Sequence, residues 1–187
     1  PRPILSGAVI SSLDDFSPLR SASDVVGETE RVLLDPESRI DIMITSKSAQ
    51  TVIVIENKVG TTTHDEQLTR YEQKEVNQNA AWNGWKKVFV YLTPFGDHPY
   101  EYRAEAERDV YNPSWCVYSY GTILQIVREM RAELGKSRAQ TKLKLLMADY
   151  IQMVNSEILQ RNGELRSACN RIVRQYRAEL ELLAAYT

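Results

Sequence analysis

The chain has 187 residues, 43% of them hydrophobic, enough to bury one sizeable core, and no run reaches the roughly 18 apolar residues that cross a bilayer. The net charge of −2 excludes a protein that holds nucleic acid by bulk charge alone. The N-terminus carries no charged-then-apolar secretory signal. Two cysteines, Cys116 and Cys169, fit no metal spacing and read as reduced thiols of a cytoplasmic protein, with a single disulfide as the alternative.

In chain order, residues 1–24 are rich in Pro, Gly and Ser and read as irregular structure. Val25 to Leu34 reads as a first strand interrupted by Glu28 and Glu30, followed by a turn at Asp35-Pro36-Glu37-Ser38. Arg39–Thr45 and Thr51–Val59 read as the second and third strands, joined by the polar loop Ser46–Gln50. Val52 and Val54 share one face of the third strand with Glu56, and Ile53 and Ile55 take the other. Apolar residues on both faces predict a central strand of a mixed sheet. Thr63 followed by Glu66 matches a capping box and predicts a helix from there toward Asn79, with Gln67 and Tyr71 on one face. Val88–Leu92 and Trp115–Ser119 read as further strands. The remainder reads as helices over about 120–134, 140–155 and 163–185.

Charge is misplaced in two of these strands. Asp41 lies inside Ile40-Asp41-Ile42-Met43-Ile44, and Glu56 and Lys58 follow an apolar quartet. Burying an unpaired charge costs several kcal/mol, so such groups are paired, metal-bound or excluded. Glu56 and Lys58 point the same way, and a hairpin of the two strands brings Asp41 to the same face. Two carboxylates and one ammonium converging on a point make a divalent-metal site with a cationic neighbour; the alternative is a surface salt bridge at a strand end.

Arg39-Ile40-Asp41-Ile42, Ile55-Glu56-Asn57-Lys58, the Gln67-Leu68-x-x-Tyr71 helix and Tyr91-Leu92-Thr93-Pro94-Phe95-Gly96 fall in the order of a known pattern. The region 25–127 resembles the PD-(D/E)xK nuclease superfamily, in its prokaryotic and phage branch. The resemblance implies an α/β, restriction-endonuclease-like αβββαβ core with a central mixed sheet, over residues 1–127. Residues 128–187 read as a C-terminal helical extension outside the superfamily core, expected to pack on it within the same domain. It implies that Asp41 and Glu56 ligate Mg²⁺ or Mn²⁺, and that Lys58 orients the attacking water and stabilises the charged transition state. The backbone carbonyl of Asn57 is a natural further ligand, and hard divalent ions do favour carboxylates and water. Gln67 matches a position that completes the site or contacts substrate, or else is a helix-surface amide. The family also supplies an acid upstream of Asp41, and Glu30 is the candidate here, with Glu28 its neighbour.

His64 sits just past Lys58, within reach of a scissile phosphate or simply in solvent. Residues 1–127 hold 12 Lys and Arg against 18 Asp and Glu, and residues 128–187 hold 11 against 7. In that basic tail Arg171 and Arg174, with Arg166 and Arg177, either line a nucleic-acid path or form a solvated face. Trp82, Trp85, Tyr100 and Tyr102 are candidate base-stacking residues or core aromatics. The expected activity is metal-dependent hydrolysis of phosphodiester bonds in DNA, with RNA as the other substrate, no membrane partner, and a homo-oligomer compatible with the sequence. The competing expectation is a nuclease-like module that binds nucleic acid or protein without catalysis. Restriction, repair, phage defence and mobile-element roles all share such a site.

Overall fold

The computed structural model describes residues 19, 22–32, 39–60, 66–103 and 107–175. The chain divides into two compact units, Pro1–Ser119 and Tyr120–Thr187. Among the described residues no helix is long and apolar enough to cross a membrane.

The first unit is built on a five-stranded mixed sheet. Its strands are β1 (Val26–Val32), β2 (Arg39–Ser46), β3 (Thr51–Asn57), β4 (Lys86–Thr93) and β7 (Trp115–Ser119), in the order β1-β2-β3-β4-β7. β1, β2 and β3 pair antiparallel, while β3–β4 and β4–β7 are parallel. This is the α/β mixed sheet expected of a restriction-endonuclease-like core, with β3 at its centre. The leading helix of that expected order, and the turn at 35–38, fall outside the described residues.

β3 is central because both of its faces are apolar. Val52 and Val54 pack with Ile40, Met43, Leu68, Tyr71, Val76, Phe89, Tyr91 and Trp115 on one side of the sheet. Ile53 packs with Val88 and Val90 on the other, backed by Ile44 and Ile55. Trp82 and Trp85 meet edge to face at 4.9 Å and pack against the first cluster, so they serve the core.

The β2–β3 turn fixes which residues of the two strands meet. Asp24 accepts hydrogen bonds from Ser46 Oγ (2.8 Å), Ser48 N (2.8 Å) and Ser48 Oγ (2.5 Å). These bonds to Ser48 and Ser46 hold its carboxyl down at about 2. Gln50 is left-handed (φ 43°) and its carbonyl accepts from Lys86 N at 2.7 Å, tying the turn to β4. A slip of one residue would turn every β2 side chain to the opposite face.

The helix after β3 starts later than the sequence indicates. α1 spans Gln67–Arg70 and continues as a π-helical segment, Tyr71–Asn77. Glu66 occupies the N-cap in a left-handed conformation (φ 54°); Thr63, the other member of the expected capping box, lies outside the described residues. A short hairpin, β5 (Tyr100–Arg103) and β6 (Arg108–Tyr111), is inserted between β4 and β7. The sequence reading has no strand there.

The second unit is helical. α2 is Tyr120–Glu133 and α3 is Arg138–Met153, a π-helical segment covers Val154–Gln160, and α4 is Arg161–Gln175. α3 opens with a capping box between Ser137 and Gln140, two residues before the expected start. The expected break near 155–163 does not occur. The chain stays helical through Gly163, because a single interior glycine costs only about 1 kcal/mol. Asn155 and Asn162 turn their side chains back onto the carbonyls of Ile151 and Ile158.

Candidate active site

Three elements place the charged groups. The β2–β3 ladder ends at Ile42–Ile55, and Asp41 and Glu56 follow it on their strands, close enough for the Asp41 charge to act on Glu56. Asp41 Oδ2 accepts from Asn57 N at 2.7 Å, clamping the end of β3 to β2. Lys58 N in turn bonds the Leu92 carbonyl at 2.9 Å, so the parallel ladder to β4 carries on past the last residue of the strand.

Glu56 is 2% exposed, on the face packed by Val52, Val54, Leu68 and Tyr71. One carboxylate oxygen, Oε1, lies 2.8 Å from Lys58 Nζ. The other, Oε2, is buried with no hydrogen-bond partner among the described residues. Burial pushes this carboxyl up to about 7; the Lys58 hydrogen bond opposes the shift and the nearby Asp41 charge adds to it.

Lys58 is held from a second side. Its Nζ donates to Gln67 Oε1 at 2.8 Å. Gln67 Nε2 donates to the Tyr71 hydroxyl at 2.8 Å, and that hydroxyl donates to the Arg39 carbonyl at 2.6 Å. The order of donors fixes the amide: Tyr71 spends its proton on Arg39, so it accepts from the Gln67 NH₂, which leaves Oε1 toward the ammonium. Tyr71 is also buried in the core, and burial raises its hydroxyl above its usual value. Tyr91, the parallel neighbour of Glu56, is raised to about 12 by burial and by the Glu56 charge.

The predicted set is thus brought together in part. Asp41, Glu56, Asn57, Lys58 and Gln67 converge at the ends of β2, β3 and the start of α1. Glu30 is exposed and left-handed (φ 50°). The β1–β2 ladder passes from Thr29–Ile42 to Arg31–Ile40 and skips the pair that would join Glu30 to Asp41. Glu28 is exposed and paired with Arg31. His64 lies outside the described residues. Arg171 and Arg174 are exposed on α4, in the second unit. Tyr100 and Tyr102 are exposed on the outer side of β5, and Tyr100 and Tyr111 cluster with His98 at ring distances of 5.7–6.4 Å.

One residue beside the site went unread in the sequence. Glu101 is 1% exposed and accepts hydrogen bonds from Leu68 N (3.0 Å), Thr69 N (3.2 Å) and the Thr69 hydroxyl. The signal was the alternation Tyr100-Glu101-Tyr102-Arg103, which sets the tyrosines on one face of a strand and Glu101 on the other.

The donor set suits a hard divalent ion. Among the described residues no three His, Cys, Asp or Glu side chains converge, but Mg²⁺ typically takes one or two protein carboxylates and completes its shell with water and substrate phosphate. The buried Oε2 of Glu56, without a hydrogen-bond partner among the described residues, is an atom that such an ion would neutralise. A family model described as the PD-(D/E)XK nuclease superfamily matches residues 18–152. No curated protein and no solved structure matches the chain.

Proposed function

The chain belongs to the PD-(D/E)XK nuclease superfamily, and from that premise we propose that it is a divalent-metal-dependent nuclease that hydrolyses phosphodiester bonds in DNA. The observation that carries the reading is Glu56, with one oxygen on the Lys58 ammonium at 2.8 Å and the other buried with no hydrogen-bond partner among the described residues. A purely structural ion pair would satisfy both oxygens or stay at the surface.

Asp41 and Glu56, with the Asn57 carbonyl, would hold Mg²⁺ or Mn²⁺. Such an ion polarises a phosphoryl oxygen and lowers the pKa of a bound water. Lys58 puts a positive charge beside the carboxylates, where it orients the attacking water and offsets charge building on the phosphate. Gln67 holds that ammonium in place, so its role is positioning, and its orientation is supplied by Tyr71. Preorganised groups of this kind contribute because they need not reorient as charge develops.

The test is incubation of the protein with supercoiled, linear and single-stranded DNA, and with RNA, in Mg²⁺, Mn²⁺ or EDTA. Cleavage of DNA that depends on the metal is expected. Cleavage of RNA alone would overturn the substrate. Binding of DNA equally with and without metal, with no cleavage under any condition, would establish a silent binding module instead.

A further inference from the structure

The β5–β6 hairpin buries a carboxylate, Glu101, at 1% exposure. Besides the α1 donors, Glu101 takes Asn112 Nδ2 at 3.3 Å and Arg103 Nη2 at 3.4 Å. Arg103 also donates to the Thr69 hydroxyl at 3.0 Å. A buried charge is costly unless its partners are complete, and here they are drawn from a helix start and from both strands of the hairpin or their flank. The cost is offset at a helix end, where free N–H groups and the helix dipole favour an anion. No side chain at the N-cap of α1 does this work.

The helix anchored in this way begins at Gln67, and Gln67 Oε1 is one of the two acceptors of Lys58. The bonds from Glu101 fall on the next two residues, Leu68 and Thr69. We propose that Glu101 is a positioning residue for the active site: it sets where α1 begins and thereby holds Gln67 against Lys58. The consequence for catalysis rests on the nuclease reading; the geometric coupling does not.

The hairpin insert is therefore part of the site's scaffold. Glu101 and Asn112, which follows β6, are 1% and 3% exposed and are joined to each other. Removing the anion frees two backbone donors of the first turn, and the start of α1 can shift. A displacement of about 1 Å at a catalytic group is enough to cost about 100-fold in rate.

The test uses the full chain and two readouts. In the metal-free protein, the side-chain amide signals of Gln67 are followed by NMR in the wild type, Glu101→Gln and Glu101→Ala. The Gln67 signals are expected to move in both variants, and more in Glu101→Ala; signals that stay in place in the folded variants would overturn the proposal, whatever the activity. In single-turnover cleavage, Glu101→Ala is expected to lose about 10- to 100-fold with Mn²⁺ affinity unchanged. In a Gln67→Ala background the same substitution should cost little more, because both act through one contact. Fully additive losses would overturn the coupling. Should Glu101→Ala fail to fold, Glu101→Gln, which keeps an acceptor oxygen, carries both measurements. A wild type without activity but with shifted Gln67 signals in the variants would refute the nuclease reading and leave the coupling standing.

Discussion

Glu56 is the residue on which the site turns, and its burial has a measurable consequence. Its carboxyl is raised from 4.5 to about 7. Between those values the unfolded chain ionises while the folded protein keeps the proton, so in EDTA the contribution of this carboxyl to stability is fully present below pH 4.5. It falls as the pH rises toward 7, by about 3 kcal/mol in all. Urea unfolding across that range should record the loss, and Glu56→Gln should flatten it; an unchanged slope in the variant would assign the pH dependence elsewhere. Tyr71 makes a second prediction. Tyr71→Phe removes the hydroxyl that joins Gln67 to the Arg39 carbonyl, leaving a buried donor and acceptor unmatched. A loss of about 1–3 kcal/mol in unfolding free energy is expected, and a neutral result would mean that water replaces the hydroxyl.

At the scale of elements, β2 and β3 were legible because their chemistry is local. Apolar runs on both faces mark a covered strand, and charges at the end of such a run mark a site. The start of α1 was legible only in part, since the donors of Leu68 and Thr69 are met by Glu101, more than 30 residues downstream. A capping anion supplied from another element leaves no trace in the helix's own sequence. The β5–β6 hairpin escaped for a related reason: four-residue strands with mostly exposed faces carry little apolar periodicity. Gly163 misled in the opposite direction, as a breaker that the surrounding helix tolerates. Gly163→Ala should therefore stabilise the protein by about 0.5–1 kcal/mol, read as a higher thermal midpoint. A lower midpoint would place a break in the helix there.

For the whole molecule, charge is divided along the chain, acidic through residue 127 and basic after it. If α4 meets phosphate, replacing exposed Arg171 and Arg174 with alanine should lower the slope of log affinity against log salt by about 2. An unchanged slope would make them a solvated face. Membership of the nuclease superfamily accounts for the sheet and for its site at the ends of β2 and β3, but a fold of this kind does not by itself fix chemistry. The proposed chemistry rests on Asp41, Glu56 and Lys58 acting as one unit. Single-turnover cleavage of labelled DNA by the wild type and by Lys58→Ala, each in Mn²⁺ and in EDTA, tests that most directly. Cleavage by the wild type in Mn²⁺ alone, and a loss of about 100-fold or more in Lys58→Ala, is the predicted result; activity that survives EDTA, or equal rates for the two proteins, would contradict it.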